Sequence, residues 1–98
     1  MQKITPEILK EFKERMRLGD DEDDNLKRIL LSSLQALKNI CGDYDIEAEE
    51  SFKELVFERS RYVYNDALEY FNSNFLSQIN TLGINKALEE IVLEGESP

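Results

Sequence analysis

The chain has 98 residues, a formal net charge of -9 at pH 7, no histidine and a single cysteine, Cys41. The length predicts one domain, and the residue types exclude disulfide frameworks, zinc sites of Cys and His, and His-dependent nucleophilic catalysis. The 41% of hydrophobic residues predicts a folded chain, and the lack of a membrane-spanning apolar run or signal-peptide core predicts a soluble intracellular protein.

The first predicted helix begins in ITPEIL, residues 4–9. Thr5 can cap it, and Pro6 suits the first helical position. Gly19, which can adopt the left-handed conformation, is predicted to end it together with Leu18. The apolar stripe comprises Ile8, Leu9, Phe12 and Met16.

The second predicted helix runs from about Asp23 to Cys41 and stops at Gly42. Its apolar residues recur at spacings of three and four, the period of one helix face. They are Leu26, Ile29, Leu30, Leu34 and Leu37, followed by Ile40 or Cys41. This is the clearest amphipathic segment of the chain.

The third predicted helix extends from about Ala48 to Tyr70 or Phe71. Aromatic and aliphatic residues occupy more than one of its sides, which is typical of a central helix or of one that also faces another subunit. A chain of this length has little other structure to cover such a helix. The pattern therefore indicates oligomerisation.

The segment Asn72-Ser73-Asn74 is predicted to cap a short fourth helix that stops at Gly83. Residues 84–93 continue with apolar helical spacing, although residues 91–93 could also form a strand. The predicted fold is all-α, a small bundle of about four helices with a long central third helix and a C-terminal tail. Residues 1–83 would form the helical domain and 84–98 a C-terminal interaction tail.

Five consecutive acidic residues, 20–24, are compatible with a metal site or with the start of a helix. An EF-hand loop that began at Asp20 would need glycine at its sixth position and glutamate at its twelfth. The chain has Asn25 and Leu31 there. The favoured interpretation is that the carboxylates cap the second helix and stabilise its start, where the helix dipole is positive.

No residue pattern predicts catalysis or a cofactor. The chain has no Gly-rich phosphate loop, nucleotide motif or nucleophile constellation. Arg59, which lies near an apolar face, can be a snorkelling side chain, a member of a buried ion pair or an anchor at a subunit interface. The expected protein is a non-enzymatic helical interaction domain.

The ordered signals resemble the head-tail connector (adaptor) proteins of tailed bacteriophages. They are ITPEIL at 4–9, the acidic run followed by LKRIL at 26–30, ICG at 40–42 and LVFERSRYVYN at 55–65. The resemblance implies a subunit without enzymatic activity in a ring of commonly about a dozen copies. The ring would dock on the portal protein, offer its far side to a stopper or tail-completion protein, and extend the DNA exit channel. The expected location is the virion, after assembly in the bacterial cytoplasm.

Two residue sets follow from this resemblance and from the excess of apolar positions. Subunit contacts are predicted at Phe57, Arg59, Arg61, Tyr62 and Tyr64. Portal contacts are predicted at Ile84, Leu88, Ile91, Val92 and Leu93. The alternative for this tail is that it packs only on the neighbouring subunit. The acidic charge, repeated around a ring, would repel DNA and let it pass without specific binding. The alternative is an acidic helical DNA mimic that binds a host nucleic-acid enzyme.

Overall fold

A computed structural model describes residues 4–95 of the protein, and their side chains except those of Glu90 and residues 92–95. The helices are α1 (Pro6–Met16), α2 (Asp23–Cys41), α3 (Glu50–Tyr64), α4 (Phe71–Asn74) and α5 (Leu76–Gly95), with a 3-10 turn at Leu68–Tyr70. Residues 4–95 contain no β-strand, and residues 91–93 lie within α5. The predicted all-α fold is confirmed.

The core lies where α2 packs against both α3 and α5, while α1 packs along α2 and α5 also contacts α3. The Phe12 ring of α1 lies 5.5 Å from the Phe57 ring of α3, which places α1 against α3 as well. The largest fully buried side chains include Phe12, Phe52, Phe57, Phe71, Leu26, Leu30, Leu34 and Leu37. The apolar stripes predicted for the first two helices therefore supply much of this core.

The predicted start of α1 is confirmed. Thr5 is the N-cap, and its side-chain oxygen accepts a hydrogen bond from the Ile8 backbone N–H at 3.2 Å. Pro6 occupies the first helical position, where its missing N–H costs nothing because that group has no helical partner.

The predicted end of α1 was wrong in one detail. Arg17, not Gly19, adopts the left-handed conformation, with φ of 58°. The Arg17 and Leu18 N–H groups donate to the carbonyls of Glu14 and Lys13, which is the Schellman pattern of helix ends. Because Leu18 packs against the core, the chain has to turn before Gly19.

Both predicted bounds of α2 are confirmed. Gly42 follows its last residue with φ of 108°, a conformation that favours glycine. A Cβ atom at Gly42 would also lie 2.5 Å from Cγ of Lys86 on α5. Glycine is therefore required at this position both by the backbone and by the close approach of α5.

The third helix is shorter than predicted, because α3 ends at Tyr64 rather than at Tyr70 or Phe71. Asp66 adopts the left-handed conformation, with φ of 56°. The Asp66 N–H donates to the Val63 carbonyl, and the Ala67 N–H donates to the Tyr62 carbonyl. These bonds form a second Schellman motif, and Asp is among the few non-glycine residues that tolerate its geometry.

Aromatic packing explains why the chain leaves the helix there. The Tyr62 ring lies 5.8 Å from the rings of both Phe71 and Phe75. In a continuous helix, nine residues would separate Tyr62 and Phe71 by about 13.5 Å along the axis. The turn brings Phe71 back against Tyr62 and buries it fully.

Other parts of the chain cover much of the apolar surface of α3. Phe52, Leu55, Val56 and Phe57 are all buried within the chain. The expectation that one chain cannot cover the third helix is wrong for these four residues, although Leu68 and Tyr70 of the predicted helix stay 39% and 59% exposed. Other uncovered apolar residues occur on α5, where Ile84, Leu88 and Ile91 are among the exposed large hydrophobic residues.

The predicted stop at Gly83 was also wrong, because α5 continues through it from Leu76 to Gly95. A Cβ atom at Gly83 would lie 3.6 Å from the Ile40 carbonyl oxygen, an ordinary van der Waals distance. The division into residues 1–83 and 84–98 stays a prediction; one helix crosses its boundary, and residues 96–98 lie outside the described residues.

Replacing Gly83 tests this continuity. Gly83→Ala is expected to raise the free energy of unfolding by about 0.5–1 kcal/mol, because alanine has the higher helix propensity and lowers the entropy of the unfolded chain. Urea denaturation followed by circular dichroism measures the effect. If Gly83 instead ended a helix in the left-handed conformation, the substitution would destabilise the protein.

Candidate functional site

The acidic run lies at the turn between α1 and α2. Lys13 Nζ contacts Oδ1 of Asp20 at 2.6 Å and Oδ1 of Asp23 at 2.9 Å. Asp23 and Asp24 occupy the first turn of α2, and the N-cap residue, Glu22, makes no side-chain capping bond. The acidic run therefore precedes and begins α2 as predicted, but the prediction that it caps the helix was wrong, because Asp20 and Asp23 pair with Lys13 of α1 instead.

The hydrogen bonds of this turn shift two pKa values in opposite directions. The bond from the Lys13 ammonium lowers the pKa of Asp20 and raises that of Lys13. Within residues 4–95, no three His, Cys, Asp or Glu side chains are grouped to hold a metal ion.

Lys13→Gln is expected to return the pKa of Asp20 towards its ordinary value, which an NMR titration of the carboxyl measures. Because the pKa of Asp20 is lower in the folded state, this pair stabilises the fold above the unfolded-state pKa of about 3.9 and loses that effect at lower pH. The variant should therefore lose less stability than the wild type on acidification. Lys10→Gln, at an exposed lysine of the same helix, is the control, and an unchanged Asp20 titration in Lys13→Gln would contradict the pairing.

The structure places the five predicted subunit-interface residues within one chain. Phe57 is fully buried, so its side chain has no surface to offer a second subunit. Arg59 donates to Oγ of buried Ser33 at 3.1 Å, and burial lowers the pKa of Arg59. Arg59 is thus a half-buried side chain with a hydroxyl partner.

The other three predicted interface residues also have internal partners. Arg61 donates to Oε1 of Glu58 at 2.7 Å, and its guanidinium lies 5.2 Å from the centre of the Tyr62 ring. The Tyr64 hydroxyl donates to Oε2 of Glu22 at 2.6 Å, and this bond raises the pKa of Tyr64. These contacts account for the aromatic and basic pattern of α3 by packing inside one subunit.

The predicted portal-contact residues lie on α5. Ile84, Leu88 and Ile91 are 58%, 53% and 61% exposed. Val92 and Leu93 belong to the same helix, but their side chains are not among those described. We call Ile84, Leu88 and Ile91 the α5 stripe.

The α5 stripe lies opposite the face by which α5 joins the core. Ile79 and Leu82 are buried, and at 3.6 residues per turn Leu88 is rotated about 180° from Ile79. The Tyr44 hydroxyl donates to the Leu82 carbonyl at 2.6 Å and ties α5 to the loop after α2. The helix thus carries two apolar faces, of which the chain covers one.

Sequence reasoning missed a groove between α3 and α5. Its lining includes the carboxylates of Glu49, Glu54 and Glu58 and the apolar residues Leu55, Phe75 and Leu82, with no lysine or arginine. No local sequence pattern predicts this groove, because it forms only where the chain reverses direction after α3. We call it the acidic groove.

Cys41 is buried, as predicted, and its Sγ lies 3.8 Å from the Ile79 carbonyl oxygen. Burial raises the pKa of this thiol, which disfavours the reactive thiolate. Cys41 therefore serves as a small core residue.

The chain matches no protein-family model, no curated protein and no solved structure. Among the described residues, no helix combines the length and the apolar character needed to cross a membrane.

Proposed function

We propose that this protein is a structural, non-enzymatic subunit of a phage head-tail connector that acts by assembling with other copies of itself and with a portal protein. The observation that carries the proposal is the α5 stripe. Exposed apolar side chains that share one helix face are typical of protein–protein contact sites. The ordered sequence signals supply the connector class.

The two faces of α5 give this contact a physical basis. Burial of Ile79 and Leu82 fixes the helix against the core, so the opposite stripe is held in place before a partner arrives. A preorganised surface loses less conformational entropy on binding than a mobile one. The portal protein is the proposed occupant of the stripe.

The net charge of -9 supports the channel role. A ring of such subunits has a negative potential that disfavours close approach of DNA phosphates. DNA would then pass through the ring without adhering to its wall.

The alternative, a DNA mimic, needs free carboxylates along exposed faces. In the structure, Lys13 pairs with two carboxylates of the acidic run. Lys53 pairs with Glu11 and Glu50. Arg15 pairs with Glu54 and Glu58. These six carboxylates are engaged by cations of the same chain, whereas a mimic needs them free for its target. The pairing leaves the net charge of -9, on which the channel role depends, unchanged.

The test is the particle mass of the purified protein alone and after mixing with portal particles made from the portal gene of the same genome. Mass photometry and electron microscopy should show several copies attached as a ring to each portal. Absence of portal binding, together with tight binding to a nuclease, would instead support the DNA-mimic alternative.

A further inference from the structure

Of the five residues predicted to join neighbouring copies of the proposed ring, Phe57 is buried and the other four also contact residues of their own chain. Residues outside this set can therefore contribute to the contact. Two other surfaces of the described structure are complementary in charge, and neither is needed for the α5 stripe to contact a portal. The inference below rests on the proposed function and specifies how its copies would join.

The first surface is the outward side of α2. Lys27, Arg28 and Leu31 are exposed there, and we call them the α2 cationic face. Residues 26–42 contain three basic residues and no acidic one. Among the described residues, Lys27 and Arg28 form no ion pair; Arg28 donates to Oδ1 of Asn25 at 2.7 Å. These cations are unpaired although the protein is strongly acidic.

The second surface is the acidic groove. Arg15 of α1 contacts the carboxylates of Glu54 and Glu58. Arg61 of α3 also contacts Glu58. Glu49 is exposed at the start of α3 and forms no ion pair among the described residues. Three carboxylates therefore face two cations in the groove. Its apolar residues, Leu55, Phe75 and Leu82, would suit a partner that brings an apolar side chain together with positive charge.

The two surfaces face away from each other. The residues that line the groove include none from α2, so the groove opens away from that helix. Lys27, Arg28 and Leu31 are exposed on α2, where Lys27 also borders α1 and Arg28 borders the end of α3. One copy therefore cannot join its own two surfaces, but a row of copies can.

We propose that the α2 cationic face of one copy docks into the acidic groove of the next, with Leu31 against the apolar lining and Lys27 and Arg28 near Glu49. Such a contact joins two different patches, so it is heterologous and generates a ring when the rotation between copies closes. Opposite charges at its rim set the register and make the contact sensitive to salt.

Site-specific cross-linking tests the contact. Gln35→Cys places a thiol on the outward side of α2, and Ser77→Cys places one in the lining of the acidic groove; neither changes the charge. The double variant is treated with a short bis-maleimide, both alone and bound to portal particles. A ladder of covalent multimers is expected in at least one condition. The single variants should stay monomeric, since buried Cys41 does not react.

Two outcomes would overturn the proposed contact. One is a double variant that stays monomeric in both conditions, and the other is a single variant that gives dimers, which indicates a two-fold contact. If portal binding persists in either case, the connector function stands and only this contact is rejected. If the unmodified protein does not bind portals, the connector function itself fails.

Charge neutralisation gives an independent test in the same cysteine background. Lys27→Gln with Arg28→Gln should lower the ladder yield about tenfold at limiting concentration, the effect of losing two exposed ion pairs. Asn72→Asp with Ser73→Asp changes the net charge equally at exposed positions outside both surfaces and outside α5. This control should retain the ladder; an equal loss in both variants would show that only the overall charge matters.

Discussion

Phe57→Ala is expected to lower the free energy of unfolding of the isolated protein by about 3–5 kcal/mol, the usual cost of removing a buried aromatic ring. Phe57 is fully buried against Phe12, and the Arg15 guanidinium lies 5.2 Å from the centre of its ring. The substitution leaves a cavity between α1 and α3. Urea denaturation followed by circular dichroism measures the loss.

Tyr70→Ala is the matched control, because it removes an aromatic ring that is 59% exposed. Its effect should stay within about 0.5 kcal/mol, as for most surface substitutions. The pair also separates two roles for Phe57. If Phe57→Ala left the monomer as stable as the wild type and only blocked assembly, Phe57 would be an interface residue after all.

Leu88→Asp combined with Ile91→Asp is expected to abolish attachment to portal particles while the helical content stays unchanged. Both residues are more than half exposed, so the substitutions leave the core intact. When the α5 stripe packs against the portal, the carboxylate of each introduced aspartate would be buried without a partner, at a cost of several kcal/mol. Affinity should fall more than about 100-fold, since 1.4 kcal/mol corresponds to a factor of ten.

Co-sedimentation with portal particles measures this loss, and circular dichroism checks the fold. Asn72→Asp with Ser73→Asp, which adds the same charge at exposed positions of α4, outside the α5 stripe, should attach normally. Unchanged attachment of the Leu88 and Ile91 variant would remove the stripe from the portal contact.

The acidic run shows how far local chemistry can be read from a sequence. The absence of glycine and glutamate at the two diagnostic positions argued against a calcium loop, and the carboxylates at the start of α2 follow from the helix dipole. The partner of Asp20 and Asp23 could not be read in this way. Lys13 reaches them only because the chain turns sharply after α1.

The third helix shows the opposite case. Its apolar pattern was read as one long helix with surplus surface, yet the chain turns at Asp66 and returns Phe71 to Tyr62. Asn65-Asp66 was the available signal, since both residues tolerate turns. The apolar spacing predicted a continuous helix in spite of this turn signal, because the apolar residues on either side of the turn keep a helical period.

The sequence by itself determined the helical class, both bounds of α2, the cap of α1 and the burial of Cys41, because each depends on residues close together in the chain. Only the tertiary structure decided that Phe57 belongs to the core, that α5 continues through Gly83 and that an acidic groove lies between α3 and α5. These features depend on which helix faces meet. That choice follows from packing between residues distant in sequence, which no local period records.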